Sequence, residues 1–286
     1  MRPAALVELQ ANLKALNLSR VARSVEVLLR QAKEAGIGCE EFLLALTHAE
    51  LQARAESRLN RRIKEAKFPL LKPLESFDFE AVPDLDMRLF RDLVEGEYVQ
   101  QRRNVIFLGR SGTGKTHMAT ALGMEACRKN YRTRFVTCYG LVNELVEARE
   151  ERGLQRLIQK YVRYDLLILD ELGYIPFSKE GSELLFQVLA ERHEKGSVII
   201  TTNLGFADWT QVFGDPTMTA ALLDRLTHRA HIINCSWESY RLKQSLKSKG
   251  GARNSLQGGD RGKTMLPRGK IAAPIPEPER VEADPL

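Results

Sequence analysis

Four cysteines in 286 residues, none of them spaced as CxxC, give no metal framework and no disulfide scaffold to build on. Cys39, Cys127, Cys138 and Cys235 are expected as free thiols, and the chain as a protein of a reducing cytoplasm. No stretch approaches the roughly 20 apolar residues that a membrane-crossing helix needs. The first residues mix charge into apolar positions, unlike a secretory signal. Internal repeats are absent. One-sided charge is also scarce over most of the chain. The net charge is +6, but residues 241–270 carry nine Lys/Arg against the single acid Asp260, a net of +8, and residues 271–286 carry −3. The other 240 residues sum to +1, so any attraction of the tail for phosphate backbones needs no fold. With 43% hydrophobic and 28% charged residues, the chain has an ordinary globular composition, with room for one large domain plus a small one.

Residues 1–68 read as a helical domain. Leu6, Leu9, Leu13 and Leu16 recur at helical spacing, Ser19 is the expected N-cap of the next helix, and Val21, Val25, Leu28 and Leu29 continue an apolar face. Gly36-Ile37-Gly38 breaks the run before a third helix from about Glu40, which ends in Arg54, Arg58, Arg61, Arg62, Lys64 and Lys67. Pro69 and Pro73 open a linker and lead-in helix over 69–100. From 101 to 248 short apolar runs alternate with helical segments. Residues 104–108, 133–138, 165–169, 197–202 and 231–235 read as strands buried on both faces, which predicts an α/β domain built on a parallel five-stranded sheet flanked by helices. Residues 249–286 are Gly-, Arg- and Pro-rich and read as disordered.

The first of these strands runs into Gly109-Arg110-Ser111-Gly112-Thr113-Gly114-Lys115-Thr116. This is the full G-x-x-x-x-G-K-T pattern between a strand and a helix. Its glycines let backbone N–H groups curl around phosphate, and the helix dipole adds positive potential. The pattern predicts ATP, with Lys115 on the β- and γ-phosphates and Thr116 on Mg²⁺. Leu166-Leu167-Ile168-Leu169 then delivers Asp170 and Glu171 at a strand end. Asp170 is expected to support the metal, and Glu171 to orient and deprotonate a water. Asn203, after a third apolar strand, faces the γ-phosphate if that strand lies beside the first. His117 follows the loop on its helix.

The order of these motifs resembles an AAA+ ATPase. Asp170-Glu171-Leu172-Gly173-Tyr174, Val212-Phe213-Gly214-Asp215-Pro216, and Leu223-Asp224-Arg225-Leu226 running on to Glu238-Ser239-Tyr240-Arg241 resemble the IstB-like ATP-binding proteins of insertion sequences. Those are relatives of DnaC helicase loaders and DnaA initiators. Ala66-Lys67-Phe68-Pro69 and Phe77-Asp78-Phe79 extend the resemblance to roughly residues 5–248. It implies a transposition helper that oligomerises on DNA, contacts mainly its phosphates, selects a target and stimulates a partner transposase. It also implies an arginine finger at Arg225, acting on a neighbouring subunit, and a nucleotide-sensing arginine at Arg241. The alternative is a DnaC-like loader of a replicative helicase, which shares the same core. A small-molecule kinase needs a lid and an acceptor pocket, which the sequence does not offer.

In the resembling clade, the region between the second and third strands holds a DNA-lining helical element. Here it carries Arg149, Arg152, Arg156, Lys160 and Arg163. The first four are spaced by three and four and share a face if the helix is unbroken across Gly153. No nuclease-like carboxylate set apart from Asp170 and Glu171 appears, and no serine or tyrosine nucleophile with a partner base, so strand cleavage is left to the partner.

Overall fold

The computed structural model describes residues 3–241, which fall within one compact unit, 1–243. The expected tail over 249–286 lies outside the described residues. Three helices open the chain: α1 (Pro3–Ala15), α2 (Ser19–Ala35) and α3 (Cys39–Ala66). Ser19 is not the cap of α2. Leu18 holds that position and offers no side-chain acceptor. The N–H groups of Arg20 and Val21 instead donate to Glu50 Oε2 of α3, at 3.0 and 3.2 Å. A buried carboxylate at a helix N-terminus satisfies orphan donors and complements the dipole, so α3 does by tertiary contact what the sequence assigns to a local cap.

The end of α3 rests on the sheet domain. Ala66 is fully buried, Phe68 meets Phe135 edge-to-face with ring centroids 6.2 Å apart, and Arg62 Nε donates to Asn130 Oδ1 at 3.1 Å. A lead-in segment follows, ending in α4 (Met87–Glu95) and the short α5 (Glu97–Gln100). Asp86 caps α4 by accepting from Arg88 N and Leu89 N, both at 3.0 Å.

The sheet contains β1 (Asn104–Gly109), β2 (Thr133–Thr137), β3 (Leu166–Leu172), β4 (Ser197–Thr202) and β5 (Ala230–Cys235), all parallel, in the order β2-β3-β4-β1-β5. Interleaved are α6 (Lys115–Arg128), α7 (Cys138–Glu150), α8 (Leu154–Val162), α9 (Lys179–Arg192), α10 (Trp209–Phe213) and α11 (Pro216–Thr227). The strands read as unbroken apolar runs because both sheet faces are covered. In β3, Leu166 and Ile168 join Phe107, Ile199, Met118 and Leu122 under α6. Leu167 and Leu169 join Leu141, Leu145, Leu185, Val188 and Trp209 on the other face.

Arg192, only 1% exposed, closes the N-terminal edge of the sheet. Its Nη1 donates to Tyr161 O and Tyr164 O at 2.5 and 2.9 Å, and its Nη2 to Ser197 O at 2.9 Å. Among the described residues no helix is long and apolar enough to cross a membrane.

Candidate nucleotide site

The site grows out of β1. Val105, Ile106 and Phe107 are fully buried, so the strand is a rigid stem for the loop that follows. A Cβ on Gly109 would sit 2.2 Å from the carbonyl oxygen of Cys235, its register partner on β5, so only glycine fits there. Gly112 adopts φ +81°, and a Cβ on it would lie 2.1 Å from Ser239 Oγ. The loop is thus pressed between the cavity and the chain that follows β5. α6 starts at Lys115 with its N-terminus facing the cavity lined by residues 111–117.

Lys115 Nζ donates to Gly109 O and Arg110 O, both at 2.7 Å, which holds the ammonium over the loop. Burial pulls its pKa below the ordinary lysine value, against the charge of Asp170. Thr116 Oγ1 donates to Asp170 Oδ1 at 3.0 Å, bringing together the two residues expected at the metal. Asp170 is 4% exposed, and the same oxygen accepts from Thr201 Oγ1 on β4. A hydroxyl beside a single carboxylate suits Mg²⁺, which takes one or two carboxylates and fills its shell with phosphate oxygens and water. No cluster of three or more His, Cys, Asp or Glu able to hold a metal occurs among the described residues.

Glu171 departs from the expected simple strand end. β3 continues past it to Leu172, with a register shift against β4 between Leu169 and Leu172. Glu171 itself sits at φ +61°, a left-handed conformation that non-glycine residues rarely adopt. Its N–H donates to Thr201 Oγ1 at 2.9 Å. This bulge exposes the one residue of β3 that is not buried, and Glu171 lines the cavity.

β4 does lie beside β1, and Asn203 follows its last residue, but Asn203 is exposed and does not line the cavity. A Cβ on Gly173 would lie 3.6 Å from the Asn203 Oδ1. Arg241 and His117 both line the cavity. His117 Nε2 lies 3.2 Å from Ser76 Oγ and 3.4 Å from Pro73 O, and its ring meets Phe77 edge-on at 4.9 Å.

Arg225 is elsewhere. It sits in the last turn of α11 with its guanidinium 5.0 Å from the Phe186 ring centroid. Around it are Asn104 and Val198, at the N-terminal ends of β1 and β4, on the edge opposite the phosphate loop. Its Nη1 is buried without a hydrogen-bond partner.

The basic helix breaks. α7 stops at Glu150 and α8 starts at Leu154, and Arg152 takes φ +58° in the turn between them. The premise of one continuous face through Arg149, Arg152, Arg156 and Lys160 is therefore overturned. Arg149 pairs with Glu180 of α9 at 3.2 Å. Arg156, Lys160 and Arg163 line an open groove together with Arg132, which the sequence had not singled out.

Other cavity residues also carried no legible role. Phe77, Asp78, Ala81 and Val82 of the lead-in segment form one wall, and Tyr174 reaches the loop with its hydroxyl 3.3 Å from Ser111 Oγ. The stretch Phe77-Asp78-Phe79 was recognisable, but nothing local says that it folds back more than thirty residues onto the loop.

A parallel sheet in this strand order, with a phosphate loop after β1 and paired acids on β3, defines a P-loop ATPase of the AAA+ class. Comparison of the sequence narrows this. The family model described as IstB-like ATP binding protein matches residues 11–248, and the chain belongs to that family. It is 39% identical over 241 residues to the insertion sequence IS21 putative ATP-binding protein of Pseudomonas aeruginosa, covering 84% of this chain and 91% of that one. It is 36% identical over 236 residues to the IS232 putative ATP-binding protein of Bacillus thuringiensis subsp. berliner, covering 82% and 94%. Among solved structures, a DnaC helicase loader is similar over 51% of this chain and 86% of that chain, at 22% identity and a TM-score of 0.46.

Proposed function

We propose that this chain is an ATP-driven helper of transposition. With ATP bound it assembles on duplex DNA, marks a target and engages a partner transposase; hydrolysis at subunit interfaces resets it. The observation that carries this reading is the separation of Arg225 from its own cavity. It stands at the opposite edge of the sheet, where it can meet phosphate only in a second copy.

Within one subunit, Lys115 and the loop N–H groups bind and orient the triphosphate, and Arg241 contacts it from the segment after β5. Thr116 and Asp170 would hold Mg²⁺, which would supply charge to neutralise the phosphates. Glu171 takes the proton of the attacking water, which Asn203 orients once the site closes. A loose phosphoryl-transfer transition state gains most from such positioning and from the arginine of the neighbour. Arg156, Lys160, Arg163 and Arg132 favour contact with DNA phosphates over sequence readout, and Arg149 and Arg152 stand next in sequence to the groove residues Ala148, Glu151 and Gly153.

The test is DNA binding with and without ATP, for the wild type and for Lys115→Ala. Wild-type binding should require ATP and weaken steeply with salt, and Lys115→Ala should not respond to ATP. Equal, ATP-independent binding by both sinks the proposal.

A further inference from the structure

After β5 ends at Cys235, the chain turns along the outer side of the phosphate loop. Cys235 faces Gly109, the Ser239 side chain fills the space beside Gly112, and Tyr240 N–H donates to Gly112 O at 3.0 Å. Trp237 makes the second tie. Its indole Nε1–H donates to Thr113 O at 2.8 Å, and the side chain is 6% exposed within the core under α6.

These two bonds fix more than the positions of two carbonyls. In a trans peptide the C=O and the following N–H point in opposite directions. Holding Gly112 O and Thr113 O outward, toward residues 237–240, turns the N–H groups of Thr113 and Gly114 inward, toward the cavity lined by residues 111–117. Those N–H groups are the donors that a phosphate-binding loop presents to its ligand.

We propose that Trp237 is a positioning residue for ATP: its indole N–H locks the Thr113–Gly114 peptide with the N–H aimed at the phosphates. Trp237 touches no nucleotide itself. It acts through the loop, and removing its donor leaves the Thr113 carbonyl buried without that partner and the peptide free to rotate. The same link runs in reverse, so phosphate drawing on the Gly114 N–H polarises the Thr113 carbonyl and strengthens its bond to the indole.

Two measurements test this. Trp237→Phe keeps an aromatic ring in the core and removes only the donor. Its Kd for ATP, by calorimetric titration, should rise about fivefold, the effect of one net hydrogen bond. A Kd within twofold of the wild type overturns the proposal. The wild-type protein supplies the second readout without substitution. It has two tryptophans, and Trp209 lies fully buried under the opposite sheet face. Titration with ATP should shift the tryptophan emission, and Lys115→Ala should abolish the shift. Emission indifferent to saturating ATP overturns the proposal, and this titration decides the matter if Trp237→Phe does not fold.

Discussion

Thr201 Oγ1 donates to Asp170 Oδ1 at 2.5 Å, and the same hydroxyl accepts the N–H of Glu171 at 2.9 Å. One side chain on β4 therefore sets both acids of β3, the carboxylate beside Thr116 by its proton and the Glu171 backbone by its lone pair. Thr201→Val preserves shape and removes both bonds. ATP turnover should fall roughly 10- to 100-fold, the usual scale for losing a partner that orients a metal ligand. Turnover equal to wild type in a steady-state assay would show that the bulge holds itself.

Glu171→Gln keeps the backbone and the size of the side chain but cannot take a proton. Hydrolysis should slow by roughly 10²- to 10⁴-fold while ATP is still bound. A single-turnover assay with separate measurement of nucleotide binding checks both halves of the expectation. Unchanged turnover removes Glu171 from the role of base.

Arg225→Ala should bind ATP and fail to hydrolyse it, as Lys115→Ala fails for the opposite reason. Mixed together, the two variants can form interfaces that pair an intact loop with an intact arginine. Partial recovery of ATPase activity on mixing is expected. No recovery at any ratio argues that Arg225, stacked on Phe186, serves only its own subunit.

Arg192→Met tests the N-terminal edge of the sheet. Three carbonyls, Tyr161 O, Tyr164 O and Ser197 O, lose the guanidinium donor together, while Tyr161 O keeps the Tyr164 N–H at 3.3 Å. At about 1 kcal/mol for each net hydrogen bond lost, urea denaturation should register a loss of roughly 1–3 kcal/mol.

Stability should also depend on pH through His117 and His231. Burial lowers both below the ordinary value of 6.5, helped at His117 by Lys72 and at His231 by Arg103. The unfolded chain then binds protons more readily than the fold. Stability is complete above about 6.5 and is lost as pH falls below it toward the depressed folded values. Melting temperatures from pH 5 to 8 should show this decline, with a shallower slope in His117→Asn combined with His231→Asn.

The five strands and the phosphate loop were legible because each is a local pattern: an apolar run, or a glycine spacing with one backbone use. Asp170 and Thr116, each singled out by its place in a motif, come together at 3.0 Å. The bulge at Glu171 was not legible, because it depends on how β3 pairs with β4 and on a hydroxyl thirty residues away. The Trp237 tie spans 124 residues and leaves no periodic trace. Helical spacing misled at Arg152, where the turn before Gly153 outweighed a charge pattern that carries little energy of its own.

Glu171 at φ +61° has a consequence for anyone breeding this protein for heat resistance. Such a conformation costs on the order of 1–3 kcal/mol in a residue with a Cβ, and glycine or asparagine relieves it. A library screened on survival at high temperature alone should therefore drift at position 171, and the winners should outlast the parent on heating while turning over almost no ATP. Keeping the acid means selecting for work done as well as for endurance.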